Sequence, residues 1–148
     1  MDWIGILPEP LPVAAAIERI SDPSAGGIAV FLGTTRAEKK AAGQELLALD
    51  YEAYGEMATQ QLHDLARRAR EQWPISKLAI LHRVGRVNVA EPSVLIAVST
   101  PHRGESFDAC EWLIDTLKKE VAIWKKEIWT DGTGTWVDPT PNRPAGSS

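Results

Sequence analysis

The stretch from His102 to Glu127 constrains the fold of this chain more than any other. It reads HRGESFDACEWLIDTLKKEVAIWKKE. Its apolar residues recur at steps of three and four, the spacing that places side chains on one face of an α-helix. They are Phe107, Cys110, Ile114, Leu117 and Val121. We therefore predict a helix from about Gly104 to Val121 that packs on a core through this face.

Two neighbouring lysines near the end of this helix are predicted to have different surroundings. At about 100° per residue, Lys118 falls at the border of the apolar face and Lys119 falls almost opposite that face. Lys118 can therefore reach the wall of a cleft, whereas Lys119 faces water. Lys125 and Lys126 follow closely. Such a cluster either stabilises the helix dipole or makes one lysine easier to deprotonate, so that it serves as a base or nucleophile.

The bulk composition indicates one globular domain and excludes several classes of protein. The chain has 148 residues, of which 44% are hydrophobic and 24% are charged. A formal net charge of −4 argues against general nucleic-acid binding. No apolar run approaches the roughly 20 residues of a membrane span, and the N-terminus lacks a basic-then-apolar signal pattern. We expect a cytoplasmic protein that binds neither nucleic acid nor a membrane.

Cys110 is the only cysteine, so the chain cannot form an internal disulfide. It lies on the apolar face of the predicted helix. This position favours a buried, unreactive thiol over a nucleophile.

The rest of the chain alternates strand and helix patterns without strict order. In the strand around Leu49, we expect Leu47, Leu49, Tyr51 and Ala53 on one face, with Asp50 and Glu52 on the other. Helices are predicted at 11–20 and 56–73, a buried strand at Ile28 to Leu32, and further strands at 46–54, 78–84, 93–100, 124–130 and 135–137. Residues 37–45 read as a mobile loop. We predict an α+β fold in a single domain over residues 1–137, with a mainly antiparallel sheet and flanking helices, followed by a disordered tail at 138–148.

Three basic residues lie at the ends of predicted elements, where binding residues are common. His102 and Arg103 stand between a strand and a helix start, which favours an anion site, although a solvated turn explains the same pattern. Arg36 follows the strand ending at Leu32. It becomes a stronger candidate for a binding site if the fold brings it close to His102 and Arg103. His63 and His82 are isolated, with no carboxylate or cysteine at metal-ligand spacing, so no metal site is expected.

Five segments taken in order resemble the catalytic, large subunit of molybdopterin synthase. They are FLGTTR (31–36), LDYEAYGEMA (49–58), RVGRVNVAEPSVLIAVSTPHR (83–103), FDACEWLIDTLKKEVAIWKKE (107–127) and TWV (135–137). Together they span nearly all the chain except the tail. Two departures are local: Ala122 stands where many members carry proline, and the loop at 37–45 has low similarity.

The resemblance implies an α/β-hammerhead fold and a homodimer at the centre of a heterotetramer. A small ubiquitin-like sulfur-carrier subunit would bind at each outer end and thread its C-terminal Gly-Gly thiocarboxylate into the active site. The substrate would be cyclic pyranopterin monophosphate (precursor Z), and two sulfur transfers would build the dithiolene of molybdopterin. No cofactor is implied.

The resemblance also assigns residues. Lys118 corresponds to the key catalytic lysine and Lys125 to a second one. Arg36, His102 and Arg103 match positions that hold the substrate's phosphate and pterin. Thr34, Thr35, Lys126 and Glu127 fall in the same binding segments, and Phe31 matches an aromatic residue near the site. A non-catalytic module that binds the tail of a ubiquitin-like partner remains the alternative, and it would not need Lys118.

Overall fold

A computed structural model describes residues 2–137 as three helices and eight strands in two four-stranded sheets. The elements are β1 (Trp3–Leu7), α1 (Val13–Ile20), β2 (Gly27–Thr34), β3 (Leu46–Ala53), α2 (Gly55–Gln72), β4 (Lys77–Arg83), β5 (Gly85–Asn88), β6 (Pro92–Thr100), α3 (Arg103–Glu120), β7 (Ile123–Trp129) and β8 (Gly134–Trp136). The predicted α+β class is confirmed, and only β1 and β4 pair in parallel among the described strands. The predicted tail at 138–148 lies outside the described residues.

The first sheet has the order β1-β4-β6-β2 and holds most of the core. Its strand β6 is buried from Ser93 to Thr100, which confirms the prediction of a strand covered on both faces. Side chains of β6 such as Ile96 pack beneath α2 and α3, and alternate side chains such as Leu95 pack beneath α1. This alternation follows from the two-residue repeat of a strand.

Strand β2 is less covered than the sequence suggests. Ile28, Val30 and Leu32 are 37–41% exposed, so the prediction of a fully buried strand is wrong. Strand β2 lies at the edge of the sheet. Its residues Val30 and Leu32 pair with Ala97 and Leu95 of β6, and the eight-residue α1 is too short to cover them as well. An apolar row on an edge strand is the result.

Helix α3 begins and ends within a residue or two of its predicted bounds, but its buried face is shifted. Phe107 is 61% exposed, which corrects its assignment to the buried face. The predicted Cys110, Ile114 and Leu117 are buried, and the buried face extends to their preceding neighbours Ala109, Leu113 and Thr116 and to Ser106. Phe107 lies outward because α3 packs over β6 and the edge strand β2, beyond which no further strand covers it. The predicted buried stripe of α2, by contrast, is confirmed at Ala58, Leu62, Leu65, Ala66 and Ala69.

The second sheet has the order β5-β3-β7-β8. In β3, Leu49 and Tyr51 are buried and Glu52 is exposed, as expected, but Leu47 is 42% exposed. A register shift between Leu46 and Ala48 against β7 turns Leu47 outward, because one extra residue in a strand reverses the facing of its neighbours. The loop at 37–45 contains one isolated bridge, between Lys39 and Glu45.

Within residues 2–137, no helix is both long and apolar enough to cross a membrane.

Candidate functional site

Helix α3 and strand β2 run side by side in the same direction, and this sets the level of Lys118. The two elements start together, because a Cβ atom added to Gly27 would lie 2.8 Å from the Cα atom of Arg103. At about 3.3 Å per residue, β2 reaches Thr34 roughly 23 Å further on. The same distance at about 1.5 Å per residue along α3 reaches about residue 118. Lys118 therefore lies level with Thr34, where β2 ends.

Lys118 and Lys119 lie on different flanks of α3. Helix α2 packs beside α3 on one flank, where Arg68 donates to Glu120 at 2.8 Å and the Trp73 and Trp112 ring centroids are 5.9 Å apart. Helical geometry places Lys119 within roughly 20° of Trp112, and Lys118 about 120° away from it. Both lysines are exposed in the single chain. Lys118 projects over the β2 side, and Lys119 projects over the α2 side.

Strand β7 brings Lys125 to the same end of the molecule. Lys125 pairs with Tyr51 across β3 and β7, and the Tyr51 ring lies 4.9 Å from the His82 ring. His82 pairs with Val94, which in turn pairs with Gly33 of β2. These steps connect Lys125 to the segment that follows Gly33. We call this region the lysine end and define it by Thr34, Thr35, Arg36, Lys118 and Lys125.

The segment after β2 supplies one buried and two exposed side chains to the lysine end. Thr35 is 2% exposed, and its Oγ1 atom has no hydrogen-bond partner among the described residues. Its backbone N–H donates to the Glu91 carbonyl at 3.1 Å. Thr34 and Arg36 are exposed, and Arg36 pairs with Glu38 at 3.3 Å. Phe31, three residues before Thr34 on β2, is half-buried against the core beneath α3.

Lys126 and Glu127 follow Lys125 but face alternate sides of the second sheet. Glu127 pairs with Leu49 and shares the inner face with Lys125. Lys126 pairs with Asp50 on the outer face, and its Nζ atom lies 5.8 Å from the centre of the Trp136 ring. The structure therefore brings Glu127 to the side of Lys125, and it does not bring Lys126 there.

His102 and Arg103 lie at the opposite end of β2 from Arg36. The two groups are separated by the length of that strand, roughly 23 Å. Both residues are exposed, and the His102 N–H donates to the Glu105 carboxylate at 3.3 Å. An acidic side chain thus already satisfies this part of the helix start. Arg36 would be a stronger candidate for a binding site if it lay close to His102 and Arg103. Within one chain it does not.

Sequence reasoning set His82 aside as isolated, but the structure gives it a defined place beside the lysine end. It is 5% exposed, and its Nδ1 atom lies 2.8 Å from the Arg83 carbonyl oxygen. Burial, opposed by this hydrogen bond, lowers the pKa of His82 to about 4, and the nearby charge of Lys125 adds to the lowering. A carbonyl oxygen only accepts, so Nδ1 carries the proton of a neutral ring and Nε2 is an acceptor. The only sequence signal was a histidine within an apolar strand.

Two further expectations concern reactive groups. Cys110 is buried, as predicted, and burial raises the pKa of its thiol to about 11; its low reactivity stays a prediction. Within residues 2–137, no three His, Cys, Asp or Glu side chains are grouped so that they could hold a metal ion. The side chains that define the lysine end carry ammonium, guanidinium and hydroxyl groups, which bind and stabilise anions.

Comparison with known proteins places this architecture in a family. The family model described as "MoaE protein" matches residues 6–120. A relative from Halalkalibacterium halodurans, named molybdopterin synthase catalytic subunit, is 42% identical over 132 residues, which cover 89% of this chain and 83% of the relative.

Two solved structures share the fold. Molybdopterin synthase from Staphylococcus aureus superposes with a TM-score of 0.86 at 35% identity, covering 93% of this chain and 98% of that one. A complex of subunits 1 and 2 of molybdopterin-converting factor from Helicobacter pylori superposes with a TM-score of 0.75, covering 90% and 89% of the two chains. At 19% identity, the second likeness concerns the fold alone. The matched family model covers well over half the chain, and this protein belongs to the MoaE protein family.

Proposed function

We propose that this chain is the catalytic subunit of a molybdopterin synthase. It transfers sulfur from the thiocarboxylated C-terminus of a small ubiquitin-like carrier to cyclic pyranopterin monophosphate, and so forms the dithiolene of molybdopterin. The observation that carries the proposal is the lysine end, to which separate elements of a MoaE-family fold contribute Lys118 and Lys125 at the level where β2 ends. The cytoplasmic location expected from the sequence stays a prediction.

The reaction needs anion binding and proton transfer rather than a protein nucleophile. A thiocarboxylate sulfur attacks a substrate carbon, and the oxygen it replaces leaves as hydroxide or, after protonation, as water. Water then cleaves the bond between sulfur and the carrier's acyl carbon, which leaves a carboxylate on the carrier and sulfur on the pterin. Lys118 protonates the leaving oxygen or stabilises the anionic intermediate, and Lys125 assists.

Two copies of the chain supply one site in this proposal. His102 and Arg103 lie a strand length from Lys118 and Arg36, so one chain cannot place all of them on one small substrate. A two-fold axis beside β2 would bring the Arg103 end of one copy next to the lysine end of the other. The exposed apolar row of Ile28, Val30 and Leu32 on that edge strand supports such a pairing.

The carrier subunit is proposed from the same likeness. The Helicobacter pylori structure is a complex of two subunits of molybdopterin-converting factor. By analogy, a small partner subunit binds this chain, and its C-terminal tail reaches the lysine end. Neutralising a carboxylate-like tail and a phosphate together is a task suited to Arg36, Lys118 and Lys125 on a protein whose net charge is −4.

A reconstituted assay tests the enzyme assignment. The protein is mixed with thiocarboxylated carrier and cyclic pyranopterin monophosphate, and dithiolene-bearing pterin is measured. We expect Lys118→Ala to abolish product while carrier binding survives, and Lys119→Ala, its neighbour on the other flank, to retain activity. Retained synthesis in Lys118→Ala overturns the catalytic assignment. Carrier binding by wild-type protein without any product favours the non-catalytic tail-binding module instead.

Mixed dimers test the shared site. Lys118→Ala and His102→Ala proteins are each expected to be inactive. When the two proteins are mixed one to one and exchange subunits, half of the dimers contain one copy of each. Each mixed dimer has one intact site of two, so activity returns to about a quarter of the wild-type value. No recovery on mixing, with dimer exchange verified, contradicts a site built from two copies.

A further inference from the structure

The contact between the two sheets beside Lys125 is made by two buried aromatic side chains. Tyr51 of β3 and His82 of β4 are 8% and 5% exposed, and their rings meet edge to face at 65° with centroids 4.9 Å apart. His82 continues the row of Leu78 and Ile80 on its strand, at a point where the second sheet, rather than a helix, covers it. A polar ring at this position is unusual in a row that is otherwise apolar.

A hydrogen bond fixes the His82 ring, and Tyr51 lies close to the end of β2. The Nδ1–H of His82 donates to the Arg83 carbonyl at 2.8 Å, which sets the ring's orientation and leaves Nε2 as an acceptor. The Tyr51 hydroxyl lies near Ser93, whose own hydroxyl donates to the Gly33 carbonyl at 3.3 Å. Tyr51 therefore lies near a side chain that is hydrogen-bonded to Gly33, the strand residue that precedes Thr34. This chain of contacts links β3 to the segment of the lysine end supplied by β2.

Lys125 lies directly on this pair. It is the cross-strand partner of Tyr51, so the two side chains leave the same face of the second sheet with Cβ atoms about 5 Å apart. That face is the one that packs on His82. The charge of Lys125 also contributes to lowering the pKa of His82, after burial of the ring. A neutral acceptor and a buried phenol ring therefore bound the space open to the Lys125 side chain.

We propose that His82, braced by Tyr51, is a positioning residue for Lys125 and holds its ammonium toward the segment Thr34 to Arg36. The inference rests on the proposed function, since it assigns His82 a role in the same site. His82 does not contact substrate in this proposal and acts through Lys125. A lysine has four rotatable side-chain bonds, and a fixed acceptor restricts them so that the ammonium is in place before the substrate arrives.

The test compares His82→Phe with two matched variants. Phenylalanine keeps an aromatic ring against Tyr51 and removes both ring nitrogens. His82→Gln restores a polar acceptor, and His63→Phe makes the same chemical change at an exposed histidine of α2. Synthase kcat, KM for cyclic pyranopterin monophosphate and carrier affinity are measured for each. In parallel, NMR relaxation of ¹³Cε-labelled lysines reports the mobility of Lys125, with Lys119 as the internal reference.

We expect His82→Phe to lower kcat by about 10- to 100-fold, the scale of a misplaced catalytic group, with KM and carrier affinity within about twofold. The mobility of Lys125 should rise to that of Lys119, His82→Gln should recover part of kcat, and His63→Phe should change nothing. The proposal is overturned if kcat is unchanged or if the mobility of Lys125 is unchanged. It is also overturned if KM rises and carrier affinity falls together with kcat. If the wild-type protein makes no product, the proposed function fails, and the NMR comparison alone decides whether His82 positions Lys125.

Discussion

Asp2 and Arg70 join the start of the chain to the last turn of α2. The guanidinium donates to the Asp2 carboxylate at 2.6 and 2.8 Å, and that carboxylate also accepts the Leu78 N–H at 3.0 Å. Arg70 donates further to the Ile75 carbonyl at 2.9 Å. One ion pair therefore connects β1, α2 and β4.

We expect Arg70→Ala to lower the free energy of unfolding by about 1–2 kcal/mol, because it leaves partly covered acceptors without their charged donor. Urea unfolding followed by circular dichroism measures the change. Arg67→Ala is the control, since Arg67 pairs only with Asp64 and Glu71 of its own helix among the described residues. Equal losses in the two variants would show that the cross-element pair adds nothing.

Ala90 adopts a backbone conformation that suits glycine. Its φ angle is +73°, the only positive value among the described non-glycine residues, and its N–H donates to the Thr35 carbonyl at 2.8 Å. Relief of this strain is worth about 1–2 kcal/mol, partly offset by about 0.4–1 kcal/mol of added freedom in the unfolded chain. We therefore expect Ala90→Gly to raise the midpoint of thermal unfolding. Ala15→Gly, on the exposed side of α1, should lower it; the same sign at both positions would contradict strain at Ala90.

Local periodicity predicted the buried face of those elements whose own residue pattern determines which side chains are buried. The stripe of α2 and the apolar run of β6 needed no information beyond a few neighbouring residues. The flanks of Lys118 and Lys119 likewise follow from helical geometry. Strand β1 was not predicted, because its parallel partner β4 lies far along the chain.

The failures share one cause, which is that sheet position is a long-range property. Whether Ile28 is buried depends on β2 being an edge strand, and whether Phe107 is buried depends on what lies beyond that edge. His82 looked isolated because its partner Tyr51 belongs to another sheet. The distance between Arg36 and His102 likewise depends on the pairing of β2 with β6. A pattern of residue types along the chain contains none of these pairings.

The buried neutral His82 makes stability fall as the solution becomes mildly acidic. Its pKa is about 4 in the folded protein against 6.5 in the unfolded chain. Between those pH values the unfolded state binds a proton that the folded state does not, so the free energy of unfolding decreases as pH falls through this window. The loss approaches about 3 kcal/mol at the lower limit. Urea titrations at pH 7, 6, 5 and 4 measure it.

Two variants isolate the histidine responsible for this pH dependence. His82→Phe has no group that titrates in the window and should flatten the curve. His63→Phe makes the same change at an exposed histidine of α2 and is the control, which should retain the slope of the wild-type protein. A His82→Phe curve as steep as the wild-type curve would assign the effect to other groups.

Cys110 should resist thiol reagents until the protein unfolds. Burial holds its pKa near 11, and the Sγ atom faces the Ile96 carbonyl at 3.8 Å within the core. At neutral pH the thiolate, which is the reactive form, is scarce and inaccessible. We expect iodoacetamide labelling, followed by mass spectrometry, to be slow in buffer and fast in denaturing urea. Rapid labelling of the native protein would contradict this burial.

Removing the hydroxyl of Thr35 distinguishes a structural role of this residue from a role in binding substrate at the lysine end. A buried hydroxyl without a partner costs about 1–3 kcal/mol, so Thr35→Val should leave the free energy of unfolding unchanged or raise it. If the hydroxyl binds substrate, as the family resemblance implies, the same variant should raise the KM for cyclic pyranopterin monophosphate by about tenfold, the value of one hydrogen bond to a charged group. Thr34→Val, at the exposed neighbour, is the control for stability. A Thr35→Val protein that is more stable and has an unaltered KM would remove Thr35 from the site and leave it as a packing residue.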